Sequence, residues 1–284
     1  ITLLNDEERG SNLDLLLTLL KQKSRILTLS SHVGKKEVIA EWLGAEVYEC
    51  PSKEMNEEFL VKASNSLVCI ESKAGSQKPL VVRSKSAFKV ILDHLSLADD
   101  GTLMILVGRR GRAEAIAEML ARLRPKREEQ LRLPEDSLDE RTPLLARLSS
   151  MLERGVAFHH AGLPSEARRA IEDLLAKRKL NVVVSTPTLS HGVDFPIDHL
   201  IVDLDTFGGE RLSRIKYLQY RGRASRIGLS NGGNVYVLSE SNRNTTVDTI
   251  RKFLAKPLEP LLPPPLGIEQ LEWMILLACR NSTE

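Results

Sequence analysis

Apolar positions along the chain recur with helical and strand periods in turn. Behind Ser11-Asn12-Leu13-Asp14, which has capping-box spacing, Leu13, Leu16, Leu17 and Leu20 fall at i, i+3, i+4 and i+7, the stripe of an amphipathic helix. Short apolar runs predict buried strands at Ile26 to Leu29 and Ala45 to Tyr48, with a helix from Glu37 to Leu43 between them. From Pro51 to Pro79 the periodicity is weak, and the stretch reads either as a hairpin or as a connection between domains. The first boundary is placed there.

Alternation resumes at Ala87. A helix to Leu95, a strand from Leu103 to Val107 and a helix with Ala113, Ile116, Ala117 and Leu120 on one face follow in order. The charged stretch from Arg124 to Asp139 reads as an exposed insertion or solvated helix. Beyond it come a helix from Ser165 to Lys177, strands at Asn181 to Ser185 and Leu200 to Asp203, a helix near Leu212 to Tyr220 and a strand at Asn234 to Leu238. Strands that alternate with helices predict an α/β fold with a parallel sheet flanked by helices. Pro257, Pro260 and Pro263-Pro264-Pro265 then break the pattern before an apolar helix from Ile268 to Ala278, as expected of a linker into a further domain.

Composition narrows the class. With 42% hydrophobic and 27% charged residues in 284, the chain can fill a sizeable core, and disorder is excluded as the default. The net charge of +2, from 40 basic and 38 acidic residues, says nothing about nucleic acid, so local patches must decide. Three cysteines without a CxxC pair argue against a disulfide framework and for a cytoplasmic protein. No apolar run approaches the roughly 18 to 20 residues that cross a bilayer, so no membrane association is expected. A chain that opens on Ile1-Thr2-Leu3-Leu4, without methionine, is expected to be cut from a longer one.

Three segments carry candidate chemistry. In Gln219-Tyr220-Arg221-Gly222-Arg223-Ala224-Ser225-Arg226, two guanidinium groups three residues apart, Arg223 and Arg226, follow a helix, with Gln219 beside them and Gly222 allowing a tight backbone. Paired arginines suit phosphate, and an arginine supplied across a cleft neutralises charge on a transferring phosphoryl group. In Val182-Val183-Val184-Ser185-Thr186-Pro187-Thr188-Leu189-Ser190-His191-Gly192-Val193-Asp194, an apolar strand ends in hydroxyls, a glycine and a carboxylate. Thr186 and Thr188 can donate to nucleic-acid phosphates, while Asp194 can orient water or partner arginines near a nucleotide. Gly108-Arg109-Arg110-Gly111-Arg112 closes a strand and opens a helix, so its amides and cations, Arg109 and Arg110 above all, can hold a phosphate without reading sequence. His159, His160, His191 and His199 lack the spacing of a zinc site, and no metal centre is expected.

Together with Phe158-His159-His160-Ala161-Gly162-Leu163, these segments resemble, in order and spacing, the C-terminal motor domain of superfamily 2 helicases, specifically the Ski-like DExH group that includes archaeal repair helicases. Tyr220 and Ser225 depart from the group's glutamine-methionine-x-glycine-arginine-alanine-glycine-arginine pattern, and Asp194 stands where asparagine is frequent. Leu29-Ser30-Ser31-His32-Val33-Gly34 and the helix after it look like the serine-alanine-threonine motif of the first motor domain, with Ser31-His32 replacing alanine-threonine. Arg251-Lys252-Phe253-Leu254 and the proline-rich stretch are similar to the lead into a winged helix.

The resemblance implies residues 1–57 as the end of a RecA-like motor domain 1, residues 58–240 as RecA-like motor domain 2, and residues 241–284 as a linker and the start of a winged-helix domain. It implies an ATP-dependent helicase, 3′ to 5′, acting as a monomer on single-stranded or forked nucleic acid, DNA slightly before RNA. Arg223, Arg226 and Gln219 would serve catalysis, with Gly192, Asp194 and Gly222 near the nucleotide. Thr186, Thr188, His160, Arg109 and Arg110 would meet the strand, His160 reading equally as a buried, hydrogen-bonded ring, and Ser30, Ser31 and His32 would couple hydrolysis to strand separation. ATP and Mg2+ would be bound mainly by a part outside this chain, because the sequence contains no G-x-x-x-x-G-K-[ST] and Asp6-Glu7-Glu8-Arg9 reads as surface acids at a helix start. This chain alone is therefore not expected to hydrolyse ATP. The competing expectations are a catalytically inactive module that binds nucleic acid or a partner, and an RNA helicase of the exosome-associated type.

Overall fold

The structure, a computed structural model, describes residues 10–21, 23–30, 33–49, 57–64, 66–75, 77–95, 101–129, 131, 133, 142–190, 197–207, 212–222, 224, 233–239, 247–259, 271, 272 and 275, without the side chains of 188, 190 and 247–249. The chain divides into two compact units, Glu54–Ala255 and a smaller one that joins Ile1–Lys53 to Lys256–Glu284. Among the described residues no helix is long and apolar enough to cross a membrane.

The larger unit is built on one eight-stranded sheet. In chain order its strands are β1 (Glu57–Ser64), β2 (Leu67–Ser72), β3 (Leu80–Arg83), β4 (Leu103–Leu106), β5 (Val156–His159), β6 (Val182–Ser185), β7 (His199–Asp203) and β8 (Asn234–Ser239). Across the sheet they run β3-β2-β1-β8-β7-β4-β6-β5. Every pairing from β1 to β5 is parallel, whereas β2 and β3 are added antiparallel at one edge. β4, β5 and β6 are buried at every position, so their side chains show no inside–outside alternation. That is the pattern of parallel strands covered on both faces. The RecA-like expectation of a mainly parallel sheet flanked by helices is met here.

The flanking helices follow their apolar stripes. α3 (Ala87–Leu95) packs on β1 and β8, while α4 (Arg110–Leu123) buries Ala113, Ile116, Ala117 and Leu120 against β5 and β6. α5 (Pro143–Leu152) starts on Thr142, whose side chain accepts from the Leu145 N–H, with proline at the first helical position where its missing N–H costs nothing. α6 (Ser165–Ala176) packs on β5, and α8 (Val247–Ala255) on β1. α7 (Arg214–Arg221) is capped by Ser213, which accepts from the Lys216 N–H.

Several expectations change. The stretch after Pro51 is the hairpin of its two readings, β1 and β2 pairing antiparallel with Ser66 left-handed in the turn at φ 62°. The segment after Arg124 is neither solvated helix nor simple insertion where it is described, since Leu131 and Leu133 are each 4% exposed and Arg127 donates to the Lys179 carbonyl at 2.8 Å. α8 packs on β1 and so falls within the compact unit Glu54–Ala255. α5 and β5 were not foreseen as elements. The expected helix at 268–278 lies almost wholly outside the described residues.

The smaller unit holds α1 (Gly10–Leu20) and α2 (Lys36–Leu43), both as the periodicity predicts. The strands expected at Ile26 to Leu29 and Ala45 to Tyr48 are absent. Both stretches lack regular structure, with Leu27 84% and Tyr48 87% exposed. A strand exists only where a neighbour takes its backbone hydrogen bonds, and among the described residues of this unit none does. Gly34 lies against the chain at 258–259, where a Cβ would meet the Glu259 carbonyl oxygen at 2.3 Å.

Candidate nucleic-acid interface

Parallel strands align their carboxyl ends, and α/β proteins keep their sites along that edge. The ladder β5-β6-β4 ends level, because the Thr186 N–H donates to the His159 carbonyl at 3.1 Å and the Val107 N–H to the Ser185 carbonyl at 2.9 Å. His160, Thr186 and Gly108-Arg109-Arg110 therefore leave adjacent strands side by side.

Arg109 and Arg110 are exposed at the start of α4, whose first turn contains no acid. Cations at a helix N-terminus oppose the helix dipole, an arrangement that an incoming anion relieves. Arg110 reaches across toward the end of β5, two strands over, since a Cβ on Gly162 would come within 3.5 Å of its Nη1. Gly108 is a glycine by necessity. A side chain there would strike the Thr206 backbone at 2.4 Å, and its N–H donates to Thr206 Oγ1 at 2.8 Å. That contact seats the 3-10 turn Leu204–Phe207, which follows β7, against the end of β4.

His160 faces inward. It is 2% exposed, stacks on Phe158 with centroids 5.3 Å apart, and accepts the Gly162 N–H on Nδ1 at 3.1 Å. The proton then sits on Nε2, which is 3.3 Å from Glu114 Oε1 without hydrogen-bond alignment. Burial lowers its pKa against the opposing pull of Glu114. Its neighbour His159, 1% exposed with Nε2 3.0 Å from Glu172 Oε1, is lowered by burial in the same way. Both rings are neutral at pH 7 and brace the end of β5.

Thr186 is 6% exposed at the end of β6, where the 3-10 turn Pro187–Ser190 begins. Thr188 lies in that turn, with its side chain outside the described residues. Gly192, Asp194, Arg223, Arg226, Ser31 and His32 lie outside them too, as do Asp6, Glu7, Glu8 and Arg9. Ser30 is exposed in the irregular segment of the smaller unit. Gln219 is half-buried on α7. Gly222 caps that helix at φ −62° and ψ −18°, a conformation open to any residue, so the tight backbone expected of it does not require glycine.

A cluster that the sequence reading missed lies under α7. Glu58 of β1 is 5% exposed, accepts the Tyr217 hydroxyl at 2.7 Å, pairs with Arg221 Nε at 2.9 Å, and is bonded to Lys73. Burial pushes its carboxyl up, but the hydrogen bonds from Lys73 and Tyr217 and the charge of Arg221 outweigh this and leave it lowered. Arg214 stacks over Tyr217 at 5.0 Å. No periodicity announces this cluster, because its members come from three elements far apart in the chain.

Residues 136–228 match the family described as helicase conserved C-terminal domain. The chain is 30% identical over 268 residues to an ATP-dependent DNA helicase Hel308 of Thermoplasma volcanium, covering 92% of this chain and 37% of that protein. It is 29% identical to the protein of that name from Pyrococcus horikoshii, covering 87% of this chain and 34% of the other, and 28% identical to a helicase POLQ-like protein of Drosophila melanogaster, covering 92% and 27%. The chain thus spans about a third of the length of the relatives it matches. Residues 136–228 thus carry a helicase C-terminal domain on a RecA-like sheet, and most of the chain is similar to superfamily 2 helicases, archaeal repair helicases among them.

Proposed function

We propose that this chain is part of an ATP-dependent helicase that acts on DNA, translocating 3′ to 5′ as a cytoplasmic monomer. The observation that carries the reading is the pair of exposed cations Arg109 and Arg110 where β4 ends, level with the end of β6 at Thr186, an edge suited to a phosphate backbone. Relatives named as ATP-dependent DNA helicases support DNA over RNA. Thr188 extends the same edge. Because His160 is turned inward, it contributes by bracing the strand end beside Arg110.

On this reading Arg223 and Arg226, with Gln219, Gly192, Asp194 and Gly222, form one wall of an ATP site, and Ser30, Ser31 and His32 couple hydrolysis to strand separation. The donors of this chain do not fit the role of main holder for ATP and Mg2+. They are amide and guanidinium groups and the single carboxylate of Asp194, without a phosphate-cradling loop, and among the described residues no group of three or more His, Cys, Asp or Glu is placed to hold a metal.

Two variants of the full-length protein test the reading. R109A/R110A should weaken single-stranded DNA binding for all sequences alike and flatten the salt dependence by about 0.7 in log–log slope per lost contact. R223A should cut DNA-stimulated ATP hydrolysis by roughly a thousandfold with folding intact. Undiminished turnover in R223A, together with unchanged DNA affinity in R109A/R110A, would sink it.

A further inference from the structure

α7 is held at two points by side chains that the function above leaves unused. Tyr217 and Arg221 reach Glu58 on β1. On the same face of the helix Tyr220, 2% exposed, donates its hydroxyl to the Pro187 carbonyl at 2.7 Å. Pro187 opens the turn Pro187–Ser190, directly after Thr186. The stretch that follows α7 is seated as well. The Ala224 N–H donates to the Arg221 carbonyl at 3.0 Å, and the Ala224 carbonyl presses on Gly233, where a Cβ would sit 2.1 Å from it.

We propose that Tyr220 is a positioning residue that couples the phosphate-facing turn after β6 to the nucleotide-facing end of α7. The inference rests on the function proposed above. A buried hydroxyl keeps its acceptor, because an unmade bond costs its full desolvation. When a strand backbone loads on Thr186 and shifts the turn, the Pro187 carbonyl moves and the tyrosine follows it. The ring has two torsions and no free space, so the displacement passes to the helix. With Glu58 anchoring Tyr217 and Arg221 on the same helix, α7 turns about that anchor, and its Gly222 end moves with it. Tyr220 is also a position where the chain departs from the helicase pattern, which has methionine and no hydroxyl there, so the link belongs to this chain.

The test compares wild type, Y220F and Y220M in the full-length protein, measuring ATP turnover with and without single-stranded DNA, DNA affinity and the thermal midpoint. Y220F removes only the hydroxyl, and Y220M refills the pocket with a flexible apolar chain should the phenylalanine pack poorly. The expected result is a five- to tenfold fall, on the order of one hydrogen bond, in the ratio of stimulated to unstimulated turnover. DNA affinity should stay within about twofold, and the loss should fall on kcat rather than on KM for ATP. An unchanged ratio in an active protein overturns the coupling role alone, as does a loss that merely follows DNA affinity or a lowered melting midpoint. A wild-type protein that neither binds DNA nor turns over ATP overturns the parent reading as well.

Discussion

Similar apolar runs meet opposite fates in the two units. Leu103–Leu106 lies between β7 and β6 with every residue 0% exposed, whereas the run from Ile26 to Leu29 in the smaller unit stays irregular, with Leu27 84% and Leu29 81% exposed. Composition does not separate them. The difference is that β4 has a partner for its hydrogen bonds on each side and helices over its faces, and the other run has neither among the described residues. Hydrophobicity nominates a parallel strand, and neighbours decide whether it forms.

The sharpest way to break this comparison is by truncation. Leu106→Ala should cost about 3 kcal/mol or more of stability in chemical denaturation, from lost burial and an unfilled cavity. Leu27→Ala should stay within about 0.5 kcal/mol. Equal effects would mean that the smaller unit's run is packed after all. Hydrogen exchange provides an independent check, with amides 25–30 exchanging far faster than those of 103–106.

Next in size is the Glu58 cluster, which belongs to the larger unit alone. Glu58→Ala deprives Arg221, Lys73 and Tyr217 of their shared carboxylate and should cost about 3 kcal/mol. Combined with Arg221→Met, the loss should be less than the sum of the two single losses, because the second change removes the charge that the first leaves stranded. Strict additivity in a double-mutant cycle would show that the pair does not interact.

Smallest is the response to acid. His159, His160 and His199 all have their pKa lowered, chiefly by burial. The unfolded chain takes up protons at the ordinary value of 6.5 while the folded state resists them. Below that pH the unfolded state binds more protons, so this contribution to stability is present above about 6.5 and is lost as pH falls toward the folded values. Glu58, lowered instead below a carboxylate's 4.5, adds a second loss at more acid pH with the same sign. Denaturation midpoints of the larger unit should therefore fall between pH 7.5 and 5.5. A flat or rising midpoint would mean that the rings are not held neutral.

Legibility followed the range of the forces involved. α3, α4 and α6, with β4, β6, β7 and β8, could be read from local periodicity because each is amphipathic or uniformly apolar over its own length. α5 was passed over although Thr142 and Pro143 mark its start, because the charged stretch before it masked the signal. The place of Arg109 and Arg110 between a strand and a helix was legible, and the structure brings them beside Thr186. The inward turn of His160 was not, since nothing local distinguishes an exposed ring from one stacked on Phe158 and bonded to the Gly162 amide.

What the sequence determined by itself was α3, α4, α6, β4, β6, β7 and β8 in their order, the resemblance to helicases, and the residue types at the strand ends. These depend on spacing within a few turns or on motifs copied in order. The tertiary structure alone decided which apolar runs became strands, which turn meets Tyr220, and that Glu58, Tyr217 and Arg221 share one buried charge. Those outcomes depend on groups 33 to 163 positions apart in the chain, counting 220 − 187 and 221 − 58, and no local pattern encodes contacts that only the packed sheet creates.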